Sequence, residues 1–156
     1  MKKRRPVLLP ALALLIALPA YADRYPVPKN APYQEECASC HMAYPPQLLD
    51  ANSWRAVMNG LPKHFGTDAS VDEKHRVPIV DFLTRNAGGG KTGVTVDASG
   101  KPLLRISETA RFVRKHRELS AATFKRASIK SPANCGACHT GAAEGDYNDD
   151  HVRIPK

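Results

Sequence analysis

Large aromatic side chains are scarce in this sequence, which has one tryptophan, four phenylalanines and five tyrosines among 156 residues. Proline and glycine are plentiful by comparison, with 13 and 10 residues. A chain of this size and composition can bury only a modest apolar core of its own. We therefore expect a bound apolar cofactor to supply part of the core.

Long apolar runs are also missing, because the one strongly apolar segment falls short of the roughly 20 residues that span a bilayer. This segment follows a basic start and precedes Ala20-Tyr21-Ala22, which is the pattern of a cleaved secretory signal peptide. The sequence predicts a signal peptide over residues 1–22, cleavage after Ala22 and export to the periplasm. No membrane span is expected after cleavage; the alternative is an uncleaved anchor.

The excess of positive charge belongs partly to the signal peptide. The whole chain has 23 Lys and Arg against 15 Asp and Glu, a net charge of +8. Residues 1–22 hold four of the basic residues and none of the acidic ones, which leaves 19 against 15, or +4, from Asp23 onward. No basic cluster is interleaved with aromatic residues, so nothing indicates binding to nucleic acid.

The first half of the mature chain has helical character after a proline-containing start. Residues 24–35 hold three prolines and predict an extended lead-in. Four apolar residues then follow the i, i+3, i+4, i+7 pattern of an amphipathic helix: Trp54, Val57, Met58 and Leu61. Residues 70–73 have the form of a capping box and predict a second helix that ends near Arg85, kinked or restarted at Pro78.

A glycine run separates this half from the second one. Two short β-prone segments, residues 94–96 and 103–106, flank a turn and predict a small β-hairpin. Helices are expected over 107–118 and around 121–127, followed by an irregular tail.

The predicted fold class is therefore mainly α, with a short β-hairpin between two cofactor-binding halves. We expect the first half over residues 23–87, a glycine-rich linker over 88–93 and the second half over 94–156. Each half has one cysteine motif.

All four cysteines fall in two C-x-x-C-H pentapeptides, residues 37–41 and 135–139. When such a segment turns as a helix, its two thiols can form thioethers with the vinyl groups of a haem, and the next residue presents an imidazole to the iron. The sequence therefore predicts two covalently attached haem c groups. Their expected attachment and proximal residues are Cys37, Cys40 and His41 for the first, and Cys135, Cys138 and His139 for the second.

Three other interpretations of the cysteines are weaker. An exported protein can form disulfides, and two C-x-x-C pairs can build a zinc site with four thiolates. A thioredoxin-like redox pair would require a βαβ context, which the sequence does not show. None of these interpretations explains a histidine at the same position after both pairs.

The second axial ligand of the first iron has three candidates: His64, Met58 and His75. We favour His64, because it lies in a loop just beyond the Trp54 helix and a loop can bring a side chain over the far face of a haem. Met58 shares helical spacing with Trp54 and Leu61, which is more typical of core packing. His75 lies in a charged stretch typical of a protein surface.

The second iron has two candidates, His116 and His151. His116 follows Phe112 by four residues, so both share a helix face that could lie against a haem plane. His151 lies in the polar tail. We favour His116.

The sequence resembles the small periplasmic dihaem cytochromes c of proteobacteria, typified by the partner of an oxygen-binding monohaem cytochrome. The likeness covers nearly all of the mature chain, in residues 36–49, 54–58, 64–69, 105–107, 112–116, 134–139 and 152–155. It implies two bis-histidine, low-spin haems with distal ligands at His64 and His116. As redox partners it implies an oxygen-binding cytochrome c and a membrane b-type cytochrome that donates electrons.

We thus expect an electron carrier and not an enzyme. Bis-histidine ligation lacks the thioether that raises the potential of His/Met cytochromes, so both haem potentials should be low. The alternative is a haem protein with one open or labile site, used for gas binding or for a peroxidase-like reduction. Such a reduction would also need acid/base groups near the haem, and this short chain shows no such set.

Overall fold

The computed structural model describes residues 23–25, 29–89 and 95–156. The predicted signal peptide and residues 90–94 of the glycine-rich region lie outside these ranges, so cleavage and linker stay predictions. The helices are α1 (Ala31–Cys37), α2 (Ala51–Asn59), α3 (Glu73–Arg85), α4 (Ala110–Lys115) and α5 (Ala121–Phe124). Short 3-10 turns occupy Pro46–Leu48, Leu61–Lys63, Ile106–Glu108, Cys135–Ala137, Ala142–Glu144 and Asp149–His151. Within the described ranges, no helix is both long and apolar enough to cross a membrane.

Helix α1 corrects the expectation of an extended lead-in. The side chain of Asn30 accepts a hydrogen bond from the Tyr33 amide at 2.9 Å and so caps the first turn. Pro32 lies in that turn, where its missing N–H costs no helical hydrogen bond. The prolines were therefore misleading at this point, because proline in a first turn is compatible with a helix. The helix delivers Cys37 at its last residue.

Helix α2 begins at Ala51 and is capped by Asp50, whose carboxylate accepts from the Ser53 amide at 2.8 Å. The other carboxylate oxygen accepts from the Thr95 amide at 2.6 Å. The Ser53 hydroxyl in turn bonds the Thr95 hydroxyl at 2.7 Å. These three residues are buried. The network ties the start of α2 to the turn that follows the glycine-rich region.

Acid should weaken this network. Burial alone would raise the pKa of Asp50, but hydrogen bonds from Ser53 and Thr95 outweigh burial and hold the pKa below its ordinary value of 3.8. A carboxyl with a lowered folded pKa stabilises the fold above its unfolded pKa, and this stabilisation is lost as the pH falls through the folded pKa. In urea unfolding followed from neutral pH down past 3.8, the Asp50→Asn variant should be less stable at neutral pH by about 1–3 kcal/mol. The variant should also lose less stability on acidification. If its free energy of unfolding fell with pH in the same way as that of the unaltered protein, this role of Asp50 would be contradicted.

Helix α3 runs without a break through Pro78, so the expected restart does not occur. Its apolar face carries Ile79 and Leu83, both almost fully buried, and packs on α2. The predicted stripe on α2 is buried at Trp54 and Met58. The main apolar cluster of the described residues consists of Tyr33, Ala43, Leu49, Trp54, Met58, Leu61, Ile79 and Leu83. This cluster lies entirely in the first half of the chain.

The predicted β-hairpin is present only as a turn. The Leu103 amide donates to the Thr95 carbonyl at 2.8 Å, and Val96 and Pro102 form a single bridge. No β-strand forms in the part of the chain that the structure describes. The side chain of Asp97 accepts from the Ser99 and Lys101 amides, so local turn chemistry holds the backbone instead of a strand ladder.

The second half has shorter helices than its sequence predicts. Thr109 ends the 3-10 turn and starts α4, since its hydroxyl accepts from the Phe112 amide at 3.2 Å. The expected single helix over 107–118 is therefore split, and α4 ends before His116. Among the described residues beyond 106, only Ile129 and Ala142 are buried hydrophobic side chains. This half lacks a substantial core formed by its own residues.

Candidate functional site

The first cysteine motif continues directly from α1. Cys37 is the last residue of the helix, and Cys40 and His41 follow in an exposed turn. Nδ1 of His41 lies 2.8 Å from the Met42 carbonyl, which can only accept, so Nδ1–H donates to it. This hydrogen bond leaves Nε2 free to bind a metal.

His64 lies across from His41. It follows the 3-10 turn Leu61–Lys63, and its amide donates to the Leu61 carbonyl at 3.2 Å. Because Leu61 is buried, the loop is anchored on the core. The ring centroids of His41 and His64 are 6.2 Å apart, with 28° between the ring planes.

The second motif begins as the 3-10 turn Cys135–Ala137. The amides of Cys138 and His139 both donate to the Cys135 carbonyl, at 3.2 and 2.8 Å. This turn brings the imidazole of His139 to a position 6.1 Å from that of His116, centroid to centroid, with 75° between the planes.

His116 is held from the end of α4. Its Nδ1–H donates to the Phe112 carbonyl at 2.9 Å, which again leaves Nε2 free. The rings of Phe112 and His116 stack with centroids 3.9 Å apart. The shared helix face predicted for these two residues is therefore present.

Both histidine pairs have the spacing of two imidazoles on one metal ion. Metal–imidazole nitrogen distances of about 2.0–2.1 Å place the centres of two opposed rings about 6 Å apart. The observed 6.2 and 6.1 Å agree with this value.

Each pair faces a large cavity. The first has a volume of about 620 Å³ and the second about 600 Å³. Both are within the range of small-molecule and cofactor sites. The walls of the first cavity include Cys37, Cys40 and His41. The walls of the second cavity include Cys135, Cys138 and His139. Ile106, Pro132 and Cys135 belong to the walls of both cavities, so the two sites are neighbours.

The surroundings of His64 and His139 favour neutral imidazoles. Burial lowers the pKa of His64, and the positive charges of His41 and Arg105 lower it further. Burial also lowers the pKa of His139, as does His116, against an opposing effect of nearby carboxylates. A neutral imidazole is the form that binds a metal.

Burial favours the protonated form of three of the four thiols. Burial raises the pKa of Cys37 and of Cys135 to about 11, and it also raises the pKa of Cys138. All four thiols are free. Within residues 23–25, 29–89 and 95–156, no three His, Cys, Asp or Glu side chains come together as a metal site. The described residues therefore form neither the disulfides nor the four-thiolate zinc site considered above.

The other candidate ligands lie elsewhere. His75 makes a 2.5 Å contact with the Glu36 carboxylate, and His151 makes one of 2.7 Å with Asp146. Neither histidine lines either of these two cavities. Met58 lines the first cavity but is only 4% exposed and belongs to the apolar core.

Most of the chain matches a known protein family. A sequence model described as "Dihaem cytochrome c" (DHC) matches residues 33–147. The chain belongs to the dihaem cytochrome c family. Two c-type haems are implied by this membership together with the cysteine pairs at 37/40 and 135/138. Dihaem cytochromes of this kind carry electrons.

Solved members of the DHC family have a similar fold. The chain is similar to a dihaem cytochrome type c from Shewanella baltica OS155, with 37% identity, a TM-score of 0.69, and coverage of 83% of this chain and 95% of that chain. It is also similar to DHC purified from Rhodobacter sphaeroides, with 45% identity, a TM-score of 0.65, and coverage of 78% of this chain and 99% of that chain. A second structure of dihaem cytochrome c from Rhodobacter sphaeroides has 43% identity to this chain and a TM-score of 0.67. The match covers 78% of this chain and 98% of that chain. A search of curated proteins finds no match.

The second DHC cavity fits a haem by a further criterion. Tyr147 lines the second cavity, and its ring lies 5.2 Å from that of His139. Among the described residues, its buried hydroxyl has no hydrogen-bond partner. A buried polar atom without a partner is rare in a folded protein, and a bound group can satisfy it.

Sequence reasoning missed several wall residues of these DHC sites. Tyr44 stacks on His41 at 4.8 Å and donates its hydroxyl hydrogen to the Ala133 carbonyl at 2.8 Å. Asp23 and Tyr25 line the second cavity although they begin the chain's first half. The Tyr25 amide donates to the Gly145 carbonyl at 2.8 Å and thereby pairs the two ends of the chain. Contacts between residues so far apart leave no local pattern.

Proposed function

We propose that this dihaem cytochrome carries electrons at low potential in the periplasm through two low-spin haems. His41 and His64 would ligate the first iron, and His139 and His116 the second. The proposed attachment residues are Cys37, Cys40, Cys135 and Cys138. The observation that supports it best is the pair of facing imidazoles in each cavity, 6.2 and 6.1 Å apart.

Two histidines on each iron would leave no position for a substrate. A bound haem supplies the one-electron chemistry, and bis-histidine ligation favours a low potential. The protein's part is to fix the imidazoles: the carbonyls of Met42 and Phe112 hold the Nδ1–H groups of His41 and His116. Ligation of this kind supports electron transfer without bond making, and it disfavours gas binding and peroxidase-like reduction.

The shared wall supports electron exchange within the molecule. Because Ile106, Pro132 and Cys135 line both cavities, two bound haems would be neighbours. An electron accepted at one site could then leave from the other.

The location and partners rest on the sequence. A signal peptide over residues 1–22 would deliver the chain to the periplasm, where haem c is attached. By resemblance to its family, the donor would be a membrane b-type cytochrome and the acceptor an oxygen-binding cytochrome c.

A potentiometric titration followed by optical and electron paramagnetic resonance (EPR) spectra tests this function. We expect two reversible one-electron steps at low potential, and two ferric low-spin signals that differ in anisotropy. Nearly parallel imidazole planes split the two π-type iron orbitals, whereas crossed planes leave them close in energy. The 75° pair of the second site should therefore give the more anisotropic signal, and the 28° pair the more rhombic one.

High-spin ferric haem in neutral buffer would contradict the proposed ligation. Turnover of added peroxide at an appreciable rate would contradict the carrier role itself.

A further inference from the structure

Phe65, the residue after the proposed ligand His64, has an unusual backbone conformation. Its φ is 50°, and that of Gly66 is 97°. The Thr67 amide donates to the His64 carbonyl at 3.0 Å and closes a four-residue turn. Two central residues at positive φ are typical of a type I′ turn, in which Gly, Asn and Asp are preferred. A bulky phenylalanine at the first of these positions is strained.

The ring of Phe65 lies between two other side chains of the first cavity. Its centroid is 4.8 Å from that of His64, with 61° between the planes. The guanidinium carbon of Arg105 lies 3.9 Å from the centroid of the Phe65 ring, a cation–π contact. The ring therefore contacts the histidine and is itself held by the arginine.

Phe65 lies outside the apolar core of the protein. Its side chain is 47% exposed to the first cavity and to solvent, and a bound haem would cover part of it. Strained backbone persists where the surrounding structure enforces it, and it concentrates at functional sites. The contact that Phe65 makes toward a functional group is the one with His64.

We propose that Phe65 is a positioning residue, which fixes the imidazole of His64 toward His41 and keeps the sixth position of the first iron closed. This inference rests on the proposed ligation by His64. The ring of Phe65 limits rotation of the imidazole, and Arg105 limits movement of the ring. The strain in the turn is the energetic cost of this arrangement.

Four variants of the holoprotein separate positioning from general stability. Phe65→Asn removes the ring and introduces a residue that tolerates positive φ. Phe65→Tyr keeps the ring and the strain. Val77→Asn is the matched control, since Val77 is also an exposed apolar residue of the first half, at 55%, but lies outside this cavity and has no positive φ. His64→Ala removes the proposed ligand altogether.

CO binding to the reduced protein and denaturant unfolding are measured for each variant. His64→Ala should bind CO at about half of the haem. Phe65→Asn should bind CO at an intermediate share of the haem while its unfolding midpoint is no lower than that of the unaltered protein. Phe65→Tyr and Val77→Asn should bind no CO.

Each other result overturns a defined part of the proposal. If His64→Ala binds CO and Phe65→Asn does not, the positioning role is wrong and the ligation stands. If His64→Ala binds none, the ligation by His64 is wrong and the positioning role falls with it. CO binding by Phe65→Asn with a lower unfolding midpoint, or equal CO binding by Val77→Asn, would make Phe65 a structural residue. Failure of Phe65→Asn to accumulate as holoprotein would likewise show that Phe65 is structural.

Discussion

Replacing Cys135 and Cys138 together by alanine should remove one haem and should also leave the second half of the chain disordered. Beyond residue 106 the described chain buries only Ile129 and Ala142 as hydrophobic side chains. Other apolar side chains of this half, among them Phe112, Phe124 and Ile154, line a cavity of about 600 Å³. A segment of about 60 residues is only marginally stable on its own, so the second haem should serve as the missing core.

The matched double variant Cys37→Ala with Cys40→Ala should behave differently. Helices α2 and α3 pack through a cluster of eight buried residues that does not require a cofactor for its internal contacts. We therefore expect this variant also to lose one haem, but to keep the order of α2 and α3.

Haem content, limited proteolysis and circular dichroism measure the contrast. Both double variants should contain one haem per chain. Trypsin should cut residues 110–130 rapidly only when Cys135 and Cys138 are replaced, and residues 51–85 should resist cleavage in both variants. Equal protection of the second half in both variants would show that it has a sufficient core without its haem.

Replacing His64 by alanine should convert the first haem from a low-spin to a high-spin, CO-binding site. The imidazole of His64 is the group that faces His41 across the first cavity, and alanine has no atom that can replace its Nε2. About half of the total haem should respond, because the second site keeps His116 and His139. His116→Ala should produce the same change in the other half of the haem.

His75→Ala and His151→Ala are the controls in the two halves. Each of these histidines contacts a carboxylate, Glu36 or Asp146, and lies outside the cavity walls. Both controls should keep low-spin spectra and bind no CO. A CO response in His75→Ala with none in His64→Ala would reverse the assignment at the first site.

The chemistry of this protein was largely predictable from short sequence patterns. The C-x-x-C-H spacing specifies a local turn, and that turn depends on few distant contacts. His64 and His116 were favoured from their positions in a loop and on a helix face beside Phe112. The structure places both opposite the proximal histidines. Their ligation of iron stays a prediction.

Other features could not be predicted, because they depend on distant residues or on local competition. Asn30 starts α1 despite the neighbouring prolines, and Thr109 splits a helix that periodicity had suggested to be continuous. The pairing of residues 23–25 with 145–147 closes the wall of the second cavity. No periodicity connects two segments at opposite ends of the chain. Each half contributes residues to the cavity of the other half, even though each has its own cysteine motif.

The visible spectrum of the unaltered holoprotein tests the central claim most directly. It should be recorded oxidised, reduced with dithionite, and reduced under CO. Two bis-histidine haems predict low-spin bands in both oxidation states and no shift of the Soret band under CO. A CO-shifted Soret band on about half of the haem would contradict bis-histidine ligation at both sites, since it would show that one iron has an open or labile position.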